Sequence, residues 1–110
     1  MRVLFICTMN IDRSPTAEAL VVGCQGYEAR SAGTDPHARV PISGELIDWA
    51  DVIAVMEDAH ASAVRARFAA ELAGRRLVVL QIPDIYQRGE PALVVILTER
   101  IDELLGLPKA

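Results

Sequence analysis

The sequence predicts an α/β fold in which a four-stranded parallel sheet carries helices on both faces. Short apolar runs of strand length alternate with stretches of helical spacing, the pattern of a parallel sheet with right-handed crossovers. The apolar runs are nearly continuous, which is typical of strands buried on both faces. At 110 residues and 52% apolar content, with no linker or repeat, the chain fits one domain spanning 1–110.

The first strand and the first helix have the clearest signals. Arg2–Cys7 (RVLFIC) is an apolar run of strand length. Ser14-Pro15 then provides an N-cap residue followed by a proline, which is favoured at the first helical position. The pattern predicts a helix from Thr16 to about Cys24, with Gly26 as its stop.

The rest of the chain continues the alternation. In order, we expect a strand at Glu28–Ala32 ending at Gly33, a proline-punctuated loop, a short helix at Gly44–Trp49, a strand at Asp51–Met56, a helix at Asp58–Ala73 ending at Gly74, a strand at Leu77–Gln81, and a helix opened by Pro91. The last helix has an apolar stripe of Leu93, Leu97, Ile101, Leu104 and Leu105, and Gly106 and Pro108 end it.

Composition argues against nucleic acid or membrane as a partner. The formal net charge is −4, and the longest basic run is the pair Arg75-Arg76. No apolar stretch reaches the roughly 20 residues that a bilayer crossing needs, and the N-terminus lacks a small-residue cleavage site. Cys7 and Cys24 are too few for a disulfide framework and lack metal-ligand spacing. We therefore expect a cytoplasmic protein without metal or cofactor.

The segment from Cys7 to Ser14 carries the chemical signal. A cysteine ends the first strand, and Arg13 follows after five residues at the predicted helix start. Five residues let the chain curl into a cradle whose backbone N–H groups, with the helix dipole, form an anion site. Arg13 adds a planar fork that matches two phosphate oxygens. The same field stabilises a thiolate, so Cys7 is a candidate nucleophile near neutral pH.

A structural interpretation competes with this one. Cys7 could be a core thiol and Arg13 a surface cation, since a cysteine and an arginine at this spacing also occur by chance. Their placement between a buried strand and a Ser-Pro helix start favours the functional interpretation.

The loop and its flanks resemble a known family. VLFICTMNIDRSPTAEAL is similar to the signature of low-molecular-weight protein tyrosine phosphatases, V-L-F-V-C-x-G-N-x-C-R-S-P-x-A-E. The similarity continues in order through SAGT at 31–34, DVIAVM at 51–56 and IPDIY at 82–86, so it spans almost the whole chain. The chain is shorter than typical members, chiefly between Thr34 and Trp49, and so resembles a short prokaryotic branch of the family.

The resemblance implies a role for each matching residue. Cys7 would attack phosphorus and form a phosphocysteine, Arg13 would bind the phosphate through the transition state, and Asp84 would be the general acid and then the base. The phosphate-binding loop would comprise Thr8, Met9, Asn10, Ile11, Asp12 and Ser14. Ser14 would hydrogen-bond the thiolate, Asn10 would adopt a left-handed conformation supported by Ser31, and Ile11 and Tyr86 would form apolar walls around the substrate's ring.

Three departures from the family pattern bear on activity. Met9 stands where the family has glycine, which raises the question of a strained φ. Asp12 replaces the second loop cysteine and would weaken phosphate binding if it faced the anion, because two like charges 4 Å apart repel by about 4 kcal/mol at an effective dielectric of 20. It would be harmless if it pointed away or formed a salt bridge with Arg39 or Arg88. Ile85 replaces the proline after the acid. Asp84 also has a simpler interpretation, since Pro-Asp is a common turn pair.

These observations favour a cysteine-dependent phosphomonoesterase that acts on a phosphorylated protein or small aryl phosphate and is inhibited by phosphate-like oxyanions. The alternative, motivated by Met9 and Asp12, is a catalytically weak or inactive module that binds phosphorylated partners. Arsenate reductase is excluded because its relay needs cysteines near the fourth strand, and none lies between Leu77 and Ala110. A phosphocysteine carrier on a similar sheet is a further alternative, but such carriers lack the loop arginine, so Arg13 argues against it.

Overall fold

A four-stranded parallel sheet organises the protein. In this computed structural model, which describes residues 1–105, the strands are β1 (Arg2–Cys7), β2 (Glu28–Gly33), β3 (Val52–Val55) and β4 (Arg76–Val79). Their order is β2-β1-β3-β4, and every neighbouring pair is parallel. The predicted sheet is confirmed. The fourth strand ends two residues before the predicted Gln81, where a φ of 57° turns the chain out of the extended conformation.

Five helices are described: α1 (Arg13–Val21), α2 (Gly44–Trp49), α3 (Asp58–Arg67), α4 (Ala69–Leu72) and α5 (Pro91–Leu105). The predicted helix over Asp58–Ala73 is two helices, because Phe68 leaves the helical conformation with φ −132° and ψ 37° and packs against the core. The predicted stop at Gly106 and Pro108, like the side chains of Leu104 and Leu105, lies outside the described residues.

The start of α1 differs from the prediction in a way that matters for the site. The helix begins at Arg13, with Asp12 as its N-cap residue, rather than after a Ser14 cap. The Asp12 carbonyl oxygen accepts from both the N–H and the hydroxyl of Thr16, at 3.2 and 2.7 Å, which closes the first turn earlier. The Ser14 hydroxyl is therefore not used as a cap and is available to the loop. At the other end the helix stops at Val21, short of the predicted Cys24.

Helices cover both faces of the sheet, as predicted. On one face, Val3 and Phe5 of β1 pack in a cluster with residues of α1 and α5, including Leu93, Leu97 and Ile101. On the other, Leu4 and Ile6 pack in a cluster with residues of α2 and α3. Burying each such side chain stabilises the fold by about 1.5–3 kcal/mol. Among the described residues, no helix is long and apolar enough to cross a membrane.

The sheet places three chain segments at one edge. The loop over residues 8–12 follows the carboxyl end of the central strand β1, Glu57 and α3 follow β3, and residues 80–90 follow β4. Carboxyl ends of parallel strands lie on the same side of a sheet, where ligands bind in this class of fold.

Candidate active site

The loop after β1 is held open by hydrogen bonds to its carbonyl groups. The carbonyl oxygens of residues 7, 8, 9 and 10 accept, respectively, from the N–H groups of Thr34, Asp35 and Arg39 and from the Arg39 side chain, at 2.9–3.0 Å. In a trans peptide the N–H of the next residue points away from the carbonyl. The N–H groups of residues 8–11 therefore point away from segment 34–39 and into the loop, which is the predicted cradle for an anion.

Cys7 is positioned at the base of this cradle. Its Sγ lies 2.9 Å from the Ser14 hydroxyl oxygen and accepts from the Asn10 N–H at 3.3 Å. The Asn10 N–H donates to the sulfur, and the Ser14 hydroxyl, which also lies 3.3 Å from the Ala32 carbonyl oxygen, can direct its proton to a thiolate instead. The N-terminus of α1 adds a favourable dipole. The arrangement stabilises negative charge on the sulfur.

Asn10 fixes the turn of the loop. Its φ of 58° is left-handed, as the resemblance implied, and its side-chain amide donates to the Ser14 hydroxyl at 2.8 Å. The expected support from Ser31 differs. Ser31 is buried on β2, but its hydroxyl donates to the Glu18 carboxylate, and Asn10 Oδ1 is buried without a hydrogen-bond partner. The carboxylate is the stronger acceptor and draws the serine toward α1.

Arg13 is buried to 2% exposure and held rigidly. Both hydrogens of Nη1 have acceptors, because this nitrogen donates to Glu57 Oε1 at 2.8 Å and to the Ile82 carbonyl oxygen at 2.7 Å. The Nε and Nη2 edge faces the cleft, where Asp84 Oδ1 lies 3.7 Å from Nε, and has the geometry to meet an anion with two parallel N–H bonds. Glu57 thus orients the guanidinium, and its charge offsets the cost of burying that cation.

Asp84 lies across a cleft from the loop. The cleft has a volume of about 150 Å³ and is lined by Cys7, Thr8, Met9, Ile11, Asp12, Arg13 and Asp84. Asp84 Oδ1 is 3.7 Å from Arg13 Nε, and its side chain is 66% exposed. The Asp84 carboxyl group therefore shares the cleft with Cys7 and Arg13.

The two loop departures are accommodated. Among the non-glycine residues that the structure describes, only Asn10 and Gln81 have positive φ, so Met9 has no left-handed strain. Asp12 Oδ1 accepts from the backbone N–H of Arg88 at 2.9 Å. The carboxylate therefore bonds to the segment that follows Asp84.

Tyr86 is placed differently from the expectation. It is half-buried against the core cluster of α1 and α5 and is not among the residues that line the cleft. The neighbouring Ile85 is 73% exposed, which indicates that the side chains of residues 85 and 86 face opposite sides of this segment. The apolar side chains that line the cleft are those of Met9 and Ile11.

Sequence reasoning missed four contributors to the site. Glu57 and His60, in the turn after β3, contact Arg13 and Thr8. Arg39, in the segment read as a plain loop, pins the loop carbonyls. Gly33 is required at the end of β2, because a Cβ there would overlap the Thr8 carbonyl oxygen. The only available signal was the position of Glu57 directly after a buried strand, beside the predicted loop.

Fold and site together define an α/β protein with an inward-facing N–H cradle in the loop after its first strand and a cysteine at the base of that loop. The solved structures that this chain resembles are phosphatases. The arginine phosphatase YwlE from Geobacillus stearothermophilus is 26% identical, with 96% of this chain and 92% of that chain covered and a TM-score of 0.70. The tyrosine phosphatase Wzb from Escherichia coli K30, in complex with phosphate, is 24% identical, with 93% and 94% covered and a TM-score of 0.75.

A low-molecular-weight protein tyrosine phosphatase from Bacillus subtilis is 20% identical, with 96% of this chain and 99% of that chain covered and a TM-score of 0.68. Neither the family models nor the curated proteins compared with the chain give a match. The chain has the fold of the low-molecular-weight protein tyrosine phosphatases, and the resemblance found in the sequence is confirmed.

Proposed function

We propose that the protein is a cysteine-dependent phosphomonoesterase that hydrolyses aryl phosphates through a phosphocysteine intermediate. The observation that carries the proposal is the environment of Cys7, whose sulfur meets the Asn10 N–H and the Ser14 hydroxyl at the base of a loop closed by Arg13. Those groups favour a thiolate and a bound dianion together, which a structural cysteine does not need.

The first step transfers the phosphoryl group to sulfur. The Cys7 thiolate attacks phosphorus while the inward N–H groups of the loop and the Nε and Nη2 groups of Arg13 hold the three non-bridging oxygens. The P–O bond to the leaving group breaks, and protonated Asp84 gives its proton to the departing oxygen. The product is phosphocysteine and a neutral phenol.

The second step returns the thiolate. Asp84, now ionised, takes a proton from a water molecule that attacks phosphorus from the side the phenol has left. The S–P bond breaks, inorganic phosphate forms, and the electron pair returns to sulfur. The Ser14 hydroxyl, 2.9 Å from Sγ, stabilises that leaving thiolate. No metal or redox partner is required to balance either step.

The lining of the cleft supports an aryl substrate. Met9 and Ile11 place apolar surface beside the anion site, and Ile11 is 52% exposed and accessible to a ring. A phosphotyrosine side chain or a small aryl phosphate fits this combination of apolar wall and buried cation. Phosphoarginine is a second candidate substrate, because one of the similar structures is an arginine phosphatase.

Two structural observations weigh against the inactive binding module. Met9 adopts no left-handed φ, and the Asp12 carboxylate is engaged by a backbone N–H. Both features that suggested a damaged loop are therefore compatible with a working one. We also infer a cytoplasmic location, because Cys7 and Cys24 are free and the proposed nucleophile has to remain reduced.

The test is hydrolysis of p-nitrophenyl phosphate, a phosphotyrosine peptide and phosphoarginine by the wild-type protein and by Cys7→Ser. We expect turnover of the aryl phosphates, competitive inhibition by phosphate and vanadate, and loss of turnover in Cys7→Ser. Acid quenching during turnover should trap one phosphate on Cys7, detected by mass spectrometry. Phosphate binding without turnover of any substrate would support the module instead.

A further inference from the structure

His60 is a buried histidine that the proposed reaction does not use. It lies in the first turn of α3 and is 3% exposed. Its Nδ1 accepts from the Glu57 backbone N–H at 3.0 Å, and its Nε2 lies 2.9 Å from the Thr8 hydroxyl oxygen. Both ring nitrogens therefore have partners, and one partner belongs to the phosphate-binding loop.

The partner of Nδ1 determines the protonation of the ring. A backbone N–H can only donate, so Nδ1 has to be an acceptor without a proton. A neutral ring with bare Nδ1 carries its hydrogen on Nε2, and a doubly protonated ring would set two donors against each other. His60 is therefore neutral and donates from Nε2 to Thr8 Oγ1.

The direction of this bond leaves the hydrogen of the Thr8 hydroxyl unused. The oxygen accepts from His60, and within the described part of the chain no protein acceptor is recorded for its hydrogen. Thr8 lines the same cleft as Cys7 and Arg13. Because the Thr8 oxygen is held by the hydrogen bond from His60, the Thr8 hydroxyl hydrogen can be donated to an anion in that cleft.

We propose that Thr8 is a substrate-binding residue whose hydroxyl donates to a phosphoryl oxygen, and that His60 is the positioning residue that orients it. The inference rests on the proposed function, since it requires a phosphoryl group in the loop. The chemistry is specific to the threonine side chain and is separate from the backbone donors that every residue of the loop supplies.

His60 also connects Thr8 to Arg13. The Glu57 carboxylate accepts from the His60 backbone N–H in a reciprocal capping box and from Arg13 Nη1 at 2.8 Å. The turn after β3 thus sets the position of two phosphate ligands, one on the loop and one on α1. A change at His60 is expected to reach both, whereas a change at Thr8 reaches only one.

The main test compares Thr8→Val, which keeps the shape and removes the hydroxyl, with Thr8→Ser, which keeps the hydroxyl. Thr98→Val, at an exposed position of α5, is the matched control. The readouts are the dissociation constant for inorganic phosphate, measured by direct titration, and kcat and KM for p-nitrophenyl phosphate. A hydrogen bond to a charged group predicts that Thr8→Val weakens phosphate binding roughly 10- to 100-fold, that Thr8→Ser recovers part of this loss, and that Thr98→Val leaves binding unchanged.

A second measurement is independent of activity and of any variant. NMR of the wild-type protein with nitrogen-labelled histidine should find His60 neutral, with its proton on Nε2. A proton on Nδ1 would overturn the inference, as would wild-type phosphate affinity in a folded Thr8→Val. Failure of the wild-type protein to bind phosphate at all would instead overturn the proposed function, so the two failures are distinguishable.

Discussion

Asp12 Oδ1 accepts a hydrogen bond from the backbone N–H of Arg88 at 2.9 Å, joining the phosphate-binding loop to the segment that carries the candidate acid. A second bond runs alongside it, from the Gly89 N–H to the Thr16 hydroxyl at 3.0 Å. The two bonds attach residues 88 and 89 to the start of α1. Asp84 lies only four residues before Arg88, so its reach across the cleft depends on this attachment.

Asp12→Ala should therefore reduce acid catalysis without removing the acid. We expect kcat to fall more for phenyl phosphate than for p-nitrophenyl phosphate, because only the poorer leaving group needs the proton. Asp12→Asn keeps an acceptor oxygen for Arg88 and removes the negative charge near the anion site, so its kcat should stay near wild type and its phosphate affinity should not fall. Equal losses of kcat in Asp12→Ala and Asp12→Asn would show that the negative charge of Asp12, and not its hydrogen bond from Arg88, determines the rate.

Asp84→Ala tests the acid itself. Removing a general acid should slow hydrolysis of phenyl phosphate or phosphotyrosine by roughly 10²- to 10⁴-fold and affect p-nitrophenyl phosphate far less. The measurement is a plot of log kcat/KM, which reports the step that releases the phenol, against the leaving-group pKa; the plot should be steeper for the variant than for the wild-type protein. An unchanged slope in Asp84→Ala, with a steep one in Asp12→Asn, would assign the acid to the loop.

Arg13→Lys separates charge from geometry. The guanidinium is held by Glu57 and by the Ile82 carbonyl, and its remaining edge can make two parallel hydrogen bonds to a phosphoryl group. A lysine keeps the charge but cannot make that pair, so kcat should drop sharply while the protein stays folded. Circular dichroism and thermal unfolding check the fold. A kcat near wild type would contradict the assignment of Arg13 as the phosphate clamp.

How far the sequence predicted this molecule depends on the range of the interactions involved. The strands and the cysteine-to-arginine spacing are local patterns, and both were predicted from consecutive residues. The start of α1 was misplaced because Ser14 has the composition of an N-cap, and only the tertiary contact with Cys7 shows that its hydroxyl is used elsewhere.

The contacts that the sequence could not predict join segments distant along the chain. His60 meets Thr8 across 52 positions, and Arg88 meets Asp12 across 76. A histidine in the first turn of a helix is usually a solvated residue, and a proline-rich segment such as 34–41 is usually a loop with no binding partner. Their roles follow from the parallel sheet, which brings the ends of β1, β2 and β3 side by side.

His60 should also give the stability of the protein a specific pH dependence. Burial and the nearby Arg13 lower the pKa of His60 below its ordinary 6.5, while Glu57 and Asp84 partly oppose the shift. Between the lowered pKa and 6.5, the histidine is protonated in the unfolded chain but not in the folded protein. The free energy of unfolding therefore falls as the pH drops through this window. Above pH 6.5 this contribution to stability is fully retained.

The measurement is urea unfolding of wild type, His60→Gln and His37→Gln between pH 5 and pH 8. One proton limits the slope to about 1.4 kcal/mol per pH unit. His60→Gln should lose this part of the slope, whatever its absolute stability, and His37→Gln on the exposed loop should keep it. The same slope in all three proteins would contradict the burial of a neutral His60.

Cys7 should be distinguishable from Cys24 by its reactivity as a thiolate. The Cys7 sulfur lies within hydrogen-bond distance of the Asn10 N–H and the Ser14 hydroxyl, whereas the thiol of the half-buried Cys24 donates to the Leu20 carbonyl oxygen at 3.6 Å. Iodoacetamide at pH 6 should therefore modify Cys7 faster than Cys24, even though Cys7 is the more buried, because the thiolate is the reacting species.

Phosphate or vanadate should protect Cys7 alone, by filling the cradle, and Ser14→Ala should slow its modification by removing one donor. Peptide mass spectrometry over a time course measures both sites in the same sample, so Cys24 is an internal control for reagent access. Equal rates at the two cysteines, with no protection by either oxyanion, would show that the loop does not activate the sulfur.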